Sequence, residues 1–81
     1  MEILFFGKLG ETIGREVRID VPPGGCTVGE VRGLLAVFHP HAAADLGSPS
    51  LRAFIDDSLV GEDFRVAAGG KVEFFPPLSG G

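Results

Sequence analysis

Phe74-Phe75-Pro76-Pro77-Leu78-Ser79-Gly80-Gly81 is the stretch around which the rest of the sequence falls into place. It reads as the end of a strand feeding straight into a tail. Pro76 and Pro77 lack a backbone donor and hold φ near −65°, so they end a sheet ladder and direct the chain along an extended, polyproline-like path. Six residues follow Phe75. At about 3.3 Å each they reach on the order of 20 Å, enough to deliver a terminal carboxylate into the pocket of another protein. Gly80 and Gly81 keep that end thin, because a residue without a Cβ passes a narrow channel and lets a reagent approach the backbone. Composition alone leaves two readings open, a delivery arm and a frayed chain end.

Working outward, Lys71-Val72-Glu73-Phe74-Phe75 is the last strand. Successive strand side chains alternate, so if Val72 and Phe74 face the core, Phe75 faces away. Glu2-Ile3-Leu4-Phe5-Phe6 is a short apolar opening strand in which either Ile3 with Phe5 or Leu4 with Phe6 points inward. Lys8 to Gly14 is expected to turn the chain. Glu16-Val17-Arg18-Ile19-Asp20-Val21 alternates strictly and predicts a half-buried antiparallel strand in a hairpin with the first.

Pro22-Pro23-Gly24-Gly25 breaks the sheet, and Thr27-Val28-Gly29-Glu30 follows the T-x-x-E capping box, so a helix is expected to start at Val28. Val28, Val31, Leu34, Leu35 and Phe38 form its core stripe, with Glu30, Arg32 and Gly33 towards water. His39-Pro40 ends it. Residues 41–50 read as a loop or irregular turn in which Ala42-Ala43-Ala44 could prolong the helix. Leu51 to Asp56 is a third strand, Asp57-Ser58 a turn, Leu59-Val60 a short edge segment, and Gly61 to Gly70 a connection holding Phe64 and Val66. The order is ββαβ(β)β, an α+β domain over residues 1–75 with a tail at 76–81. One helix covers one face of such a sheet. Large apolar side chains on the other face predict a protein interface.

A chain of 81 residues with 44% hydrophobic and 22% charged residues, seven of them Phe, has the material for one small globular core. No apolar run approaches the roughly 20 residues of a membrane helix, and no basic-then-apolar leader opens the sequence. A single cysteine, Cys26, fits a reducing compartment, and the expected location is cytoplasmic. The net charge of −4 argues against a phosphate backbone as ligand, so neither nucleic acid nor membrane is an expected partner.

Self-contained chemistry is hard to find. Cys26 precedes a helix start but has no neighbouring base, and reads as a small packing residue. His39 and His41 lack a completing ligand set, and the acidic Asp56-Asp57 and Glu62-Asp63 lack calcium-loop spacing, so no metal site is expected. None of the 13 glycines forms a G-x-x-x-x-G-K-[ST] phosphate loop. The terminal carboxylate is left as the group most able to carry chemistry, and it is a poor electrophile until activated.

Leu4-Phe5-Phe6-Gly7, Thr27-Val28-Gly29-Glu30-Val31-Arg32-Gly33-Leu34, Asp57-Ser58-Leu59-Val60 and, above all, the F-F-P-P-L-S-G-G ending together resemble the ubiquitin-like sulfur carriers, most closely the branch of molybdopterin synthase small subunits. The resemblance implies a ubiquitin-like β-grasp fold, a mixed sheet of four to five strands with one main helix across one face and the first and last strands side by side. It implies that Phe6, Leu59 and Phe75 face a large subunit, leaving Ile3, Phe5, Val72 and Phe74 for the core. It further implies that a ubiquitin-activating-type adenylating enzyme uses ATP to join AMP to the Gly81 carboxylate. A sulfur donor protein then gives a thiocarboxylate, and this chain itself holds no cofactor. Pro76, Pro77, Leu78, Ser79 and Gly80 would form the arm, and the molybdopterin synthase large subunit would supply the catalytic groups, in a heterotetramer. Gly10, Asp56-Asp57 and Lys71 depart from the residues many relatives carry at these places. Carriers for thiamine, cysteine or tRNA thiolation, a ubiquitin-like protein modifier, and an interaction domain without terminal chemistry remain alternatives.

Overall fold

Parallel pairing of the first and last strands organises the architecture. A computed structural model describes residues 1–77. Strand β1 (Glu2–Phe5) lies between β2 (Glu16–Arg18), antiparallel to it, and β7 (Lys71–Phe75), parallel to it. Strand β4 (Arg52–Ile55) pairs with the far side of β7, and β5 (Ser58–Val60) closes the edge, giving a mixed sheet in the order β2-β1-β7-β4-β5. Helix α2 (Val28–Phe38) packs across one face. This is the expected α+β, β-grasp arrangement, and the last strand has the bounds read from the sequence.

Register decides which side chains become core. Ile3 stands opposite Val72 and Phe5 opposite Phe74, so all four project to the helix side and are buried with Val28, Val31 and Leu35. The Phe5 and Phe74 rings stack at 5.5 Å. The choice left open for β1 is thereby resolved in favour of Ile3 with Phe5. Burying a side chain of this size contributes about 1.5–3 kcal/mol, so these residues hold the domain together.

Helix α2 begins as expected. The Thr27 hydroxyl accepts from the Glu30 backbone N–H at 3.1 Å, and the Thr27 N–H donates to Glu30 Oε1 at 2.8 Å. These hydrogen bonds, the backbone one first, hold the Glu30 carboxyl below the ordinary glutamate value of 4.5, with Arg65 adding to the effect. A carboxylate lowered in the folded state contributes stability that is present above the ordinary value and lost as pH falls through the folded value. Glu30→Gln keeps the cap geometry without the charge. Its melting temperature should therefore lie below wild type near pH 7 and converge on it as the pH falls below the ordinary glutamate value and through the lowered folded one; a gap that stays constant as the pH falls would contradict this.

Several local expectations are corrected. Lys8–Thr12 is a short helix, α1, rather than a plain turn. It can seat against the end of β1 because a Cβ at Gly10 would meet the Phe5 carbonyl oxygen at 2.8 Å. Strand β2 is shorter than read, although Ile19 is still buried. Phe38 is 62% exposed, whereas Arg32 is 9% exposed and sits inside. Beyond His39 a 3-10 turn (Pro40–Ala42) and helix α3 (Ala43–Leu46) place Leu46 in the core, where the end of the predicted stripe would have gone. The connection after β5 contains β6 (Arg65–Val66), which pairs with β3 (Cys26–Thr27) in a second, two-stranded sheet. The β4–β5 hairpin turns through Asp56 and Asp57, with φ of 48° and 67°, the positive values a type I′ turn requires and that Asp tolerates better than most residues.

Candidate functional site

The face of the sheet opposite α2 has no helix over it. Alternation sends Phe75 of β7, Arg52 and Phe54 of β4, and Leu59 of β5 to this side, with Arg52 opposite Phe75 and Phe54 opposite Leu59. Phe6, just past β1, joins them because its N–H continues the ladder to the Phe74 carbonyl at 3.0 Å. The rings of Phe6 and Phe75 stack at 4.3 Å and 6°, and Phe54 meets Phe75 edge-on at 5.0 Å. Contacts of this kind contribute about 0.5–1.5 kcal/mol beyond area burial and fix the rings in place. Phe6 is 36% and Leu59 53% exposed, so the cluster is rigid yet open to contact.

Phe6, Phe54, Leu59, Phe75, Pro76 and Arg52 line a shallow groove of about 730 Å³ at the end of the sheet where β7 stops. The structure thus brings together Phe6, Leu59 and Phe75, the three residues expected on one face, and adds Phe54 and Arg52, which the sequence reading did not single out. Their signal was available in the alternation of Arg52-Ala53-Phe54 about the buried Ala53. Away from the groove the same face carries Glu73 opposite Leu4, and Lys71 opposite Glu2, so the apolar cluster has a charged border.

The tail leaves from this cluster. Pro76 and Pro77 follow β7 without regular structure and both line the groove. Gly7, with φ of 75°, makes room for them: a Cβ there would lie 2.7 Å from Pro76 Cγ. Leu78, Ser79, Gly80 and Gly81, the remaining expected site residues, lie outside the described residues.

The other candidates are placed plainly. Cys26 is buried in β3, and burial first, then the Glu30 carboxylate, pushes its thiol above the ordinary value, which disfavours the reactive thiolate. The His39 and His41 rings meet edge-on at 6.0 Å. Among the described residues, no group of three or more His, Cys, Asp or Glu side chains could hold a metal ion, and no helix is long and apolar enough to cross a membrane. Gly10 is buried in α1 and Asp56-Asp57 form the hairpin turn, so those departures lie outside the groove lining.

Comparison with known proteins agrees with this fold. The molybdopterin synthase sulfur carrier subunit of Escherichia coli (strain K12) is 33% identical over 84 aligned residues, covering 100% of this chain and 99% of the relative. SAMP1 from Haloferax volcanii superposes with a TM-score of 0.80 at 32% identity, over 99% of this chain and 97% of that one. A second structure, H. volcanii small archaeal modifier protein 1, gives a TM-score of 0.80 at 30% identity over 95% of each chain. The ThiS family model matches residues 3–81. Since that match spans nearly the whole chain, including β4, β5 and β7, which line the groove, the chain belongs to the ThiS family.

Proposed function

We propose that this protein is the sulfur carrier subunit of a molybdopterin synthase, acting in the cytoplasm. The observation that carries the reading is the placement of a stacked aromatic pair, Phe6 on Phe75, at the root of the Pro-Pro-Leu-Ser-Gly-Gly segment. A docking face and a reactive end are thereby joined through a single strand. The full-length similarity to a molybdopterin synthase sulfur carrier subunit supports the choice of pathway.

In this reading an adenylating enzyme of the ubiquitin-activating type transfers AMP from ATP to the Gly81 carboxylate, releasing pyrophosphate. A sulfur donor protein then displaces AMP to leave a thiocarboxylate. The carrier docks on the large subunit through Phe6, Leu59 and Phe75, and the arm from Pro76 to Gly80 inserts the nucleophilic sulfur into the large subunit's site. There it attacks cyclic pyranopterin monophosphate, water then hydrolyses the resulting thioester to leave sulfur on the substrate and return the Gly81 carboxylate, and two such transfers supply the sulfurs of the dithiolene. The carrier contributes delivery and positioning, which account for a large share of the barrier in transfer reactions.

Docking is tested by Phe75→Glu. A charge placed in the middle of a desolvated aromatic cluster should lower affinity for the large subunit at least about 100-fold, in the range of truncated interface hot spots. Titration calorimetry reads this directly, and wild-type affinity would remove the docking assignment. A second reading is favoured by the likeness to small archaeal modifier protein 1, namely a ubiquitin-like modifier joined through the same glycine to lysines of other proteins. Isopeptide adducts at Gly81 in place of a thiocarboxylate would select it.

A further inference from the structure

The groove contains one residue that an apolar docking surface does not need. Arg52 stands opposite Phe75 in the β4–β7 ladder, is exposed, and lines the groove with Phe6, Phe54 and Leu59. Among the described residues its guanidinium makes no ion pair. Glu62, which borders the adjoining hollow with Arg52, is already held by Arg32 at 3.0 Å. Glu73, on the same face of β7, stands opposite Phe54 two pairs further along the ladder, and Glu2 lies beyond it on β1.

In the free protein this arrangement costs little, because water solvates the guanidinium. Covering the groove changes that. A guanidinium removed from water without a partner costs several kcal/mol, and its planar fork of donors is satisfied best by a carboxylate, which accepts two parallel hydrogen bonds. The chain as a whole carries a net charge of −4, so its long-range field attracts a basic surface. One cation inside the apolar patch of an acidic protein is a local inversion of that field, and inversions of this kind fix orientation and exclude wrong partners.

We propose that Arg52 reads an Asp or Glu side chain which the docking partner presents beside the apolar residues that fill the groove. The inference rests on the docking reading above and adds the chemistry of the partner surface, an apolar anchor next to one carboxylate on an otherwise basic face. Arg52 is then the specificity determinant of the interface, and Phe6, Leu59 and Phe75 are its apolar anchors.

The test uses the molybdopterin synthase large subunit of the same organism as probe, with affinities measured by calorimetry for Arg52→Met, Arg52→Glu and Phe75→Glu, each checked for an unchanged melting temperature. Arg52→Met should weaken binding about 30-fold and Arg52→Glu more, since removing one partner of a buried charge pair leaves the other unpaired. A single Asp→Lys or Glu→Lys change on the large subunit should then restore most of the affinity lost by Arg52→Glu. Wild-type affinity for both Arg52 variants, with Phe75→Glu still defective, overturns the carboxylate inference and leaves docking intact. A defect in Arg52→Glu that no acid-to-lysine change on the partner suppresses overturns it as well. Wild-type affinity for Phe75→Glu removes the docking reading itself.

Discussion

Deletion of Gly81, or addition of a residue after it, should abolish sulfur transfer while leaving the melting temperature of the domain unchanged. Deletion draws the carboxylate back by about 3.3 Å, and a misplacement of 1 Å in a positioned reaction already costs about 100-fold. An added side chain lengthens the arm and puts a Cβ where glycine lets the activating reagent approach. Neither change touches the buried residues, the last of which, among the described residues, is Phe74. A reconstituted synthase assay measures the loss. Intact mass of the protein from its native host supplies an independent check, because the wild type should carry sulfur in place of one oxygen and the truncated chain should not. Transfer at the wild-type rate by either variant would refute delivery through the terminal glycine.

Arg32→Ala should be strongly destabilising. Inside the domain the Arg32 guanidinium donates from Nη1 to the Leu46 carbonyl at 2.8 Å and to Ser48 at 3.3 Å, and from Nη2 to the Leu51 carbonyl. Its Nε donates to Glu62 at 3.1 Å, and its central carbon lies 5.3 Å from the centre of the Phe74 ring. One side chain thus ties α2 to α3, to the segment entering β4 and to the loop after β5. Removing it strands buried carbonyl groups and empties the space over Phe74, a loss of about 3–5 kcal/mol. For a domain of this size that is a fall in melting temperature on the order of 20 °C. Arg32→Lys retains the charge but not the fork, and should fall between. Glu62→Gln should cost under about 1 kcal/mol, because Glu62 is 55% exposed and water screens the pair. Calorimetric melting of the three variants decides the matter, and a loss below about 5 °C for Arg32→Ala would show that the network is dispensable.

The parts of the fold that the sequence made legible are those with strong local signals. The T-x-x-E box marked the start of α2, and the alternation of Lys71 to Phe75 marked β7 and its two faces. What escaped depended on contacts distant along the chain. Five residues of α1 carry too few apolar positions to show a helical period, and Gly10 looked like a turn signal when its use is close approach to β1. Arg32 lies four residues after Val28 and three before Leu35, on the edge of the apolar stripe. The carbonyl groups of residues 46, 48 and 51, with Glu62 and the Phe74 ring, make that edge habitable for a cation. Spacing alone puts Phe38 in the core, but the chain turns at His39 and supplies Leu46 instead. The apolar face was legible as a consequence of alternation, whereas Phe54 and Arg52 required knowing which strand lies beside β7.

The two phenylalanine pairs carry a further consequence. Phe5 and Phe74 stack beneath the sheet, and Phe6 and Phe75, one residue later on the same parallel strands, stack above it. A slip of one residue in β7 would exchange the buried ring with the exposed one, so hydrophobic burial guards the alignment of the outer pair as strictly as that of the inner. On the proposed function, the same alignment fixes which residue sits at the groove and therefore how many residues separate the docking contact from the Gly81 carboxylate. On that reading the sheet therefore acts as a gauge: folding correctly and setting where the Pro-Pro segment leaves the groove are one event, and a carrier that has folded would already have set how far its sulfur can travel.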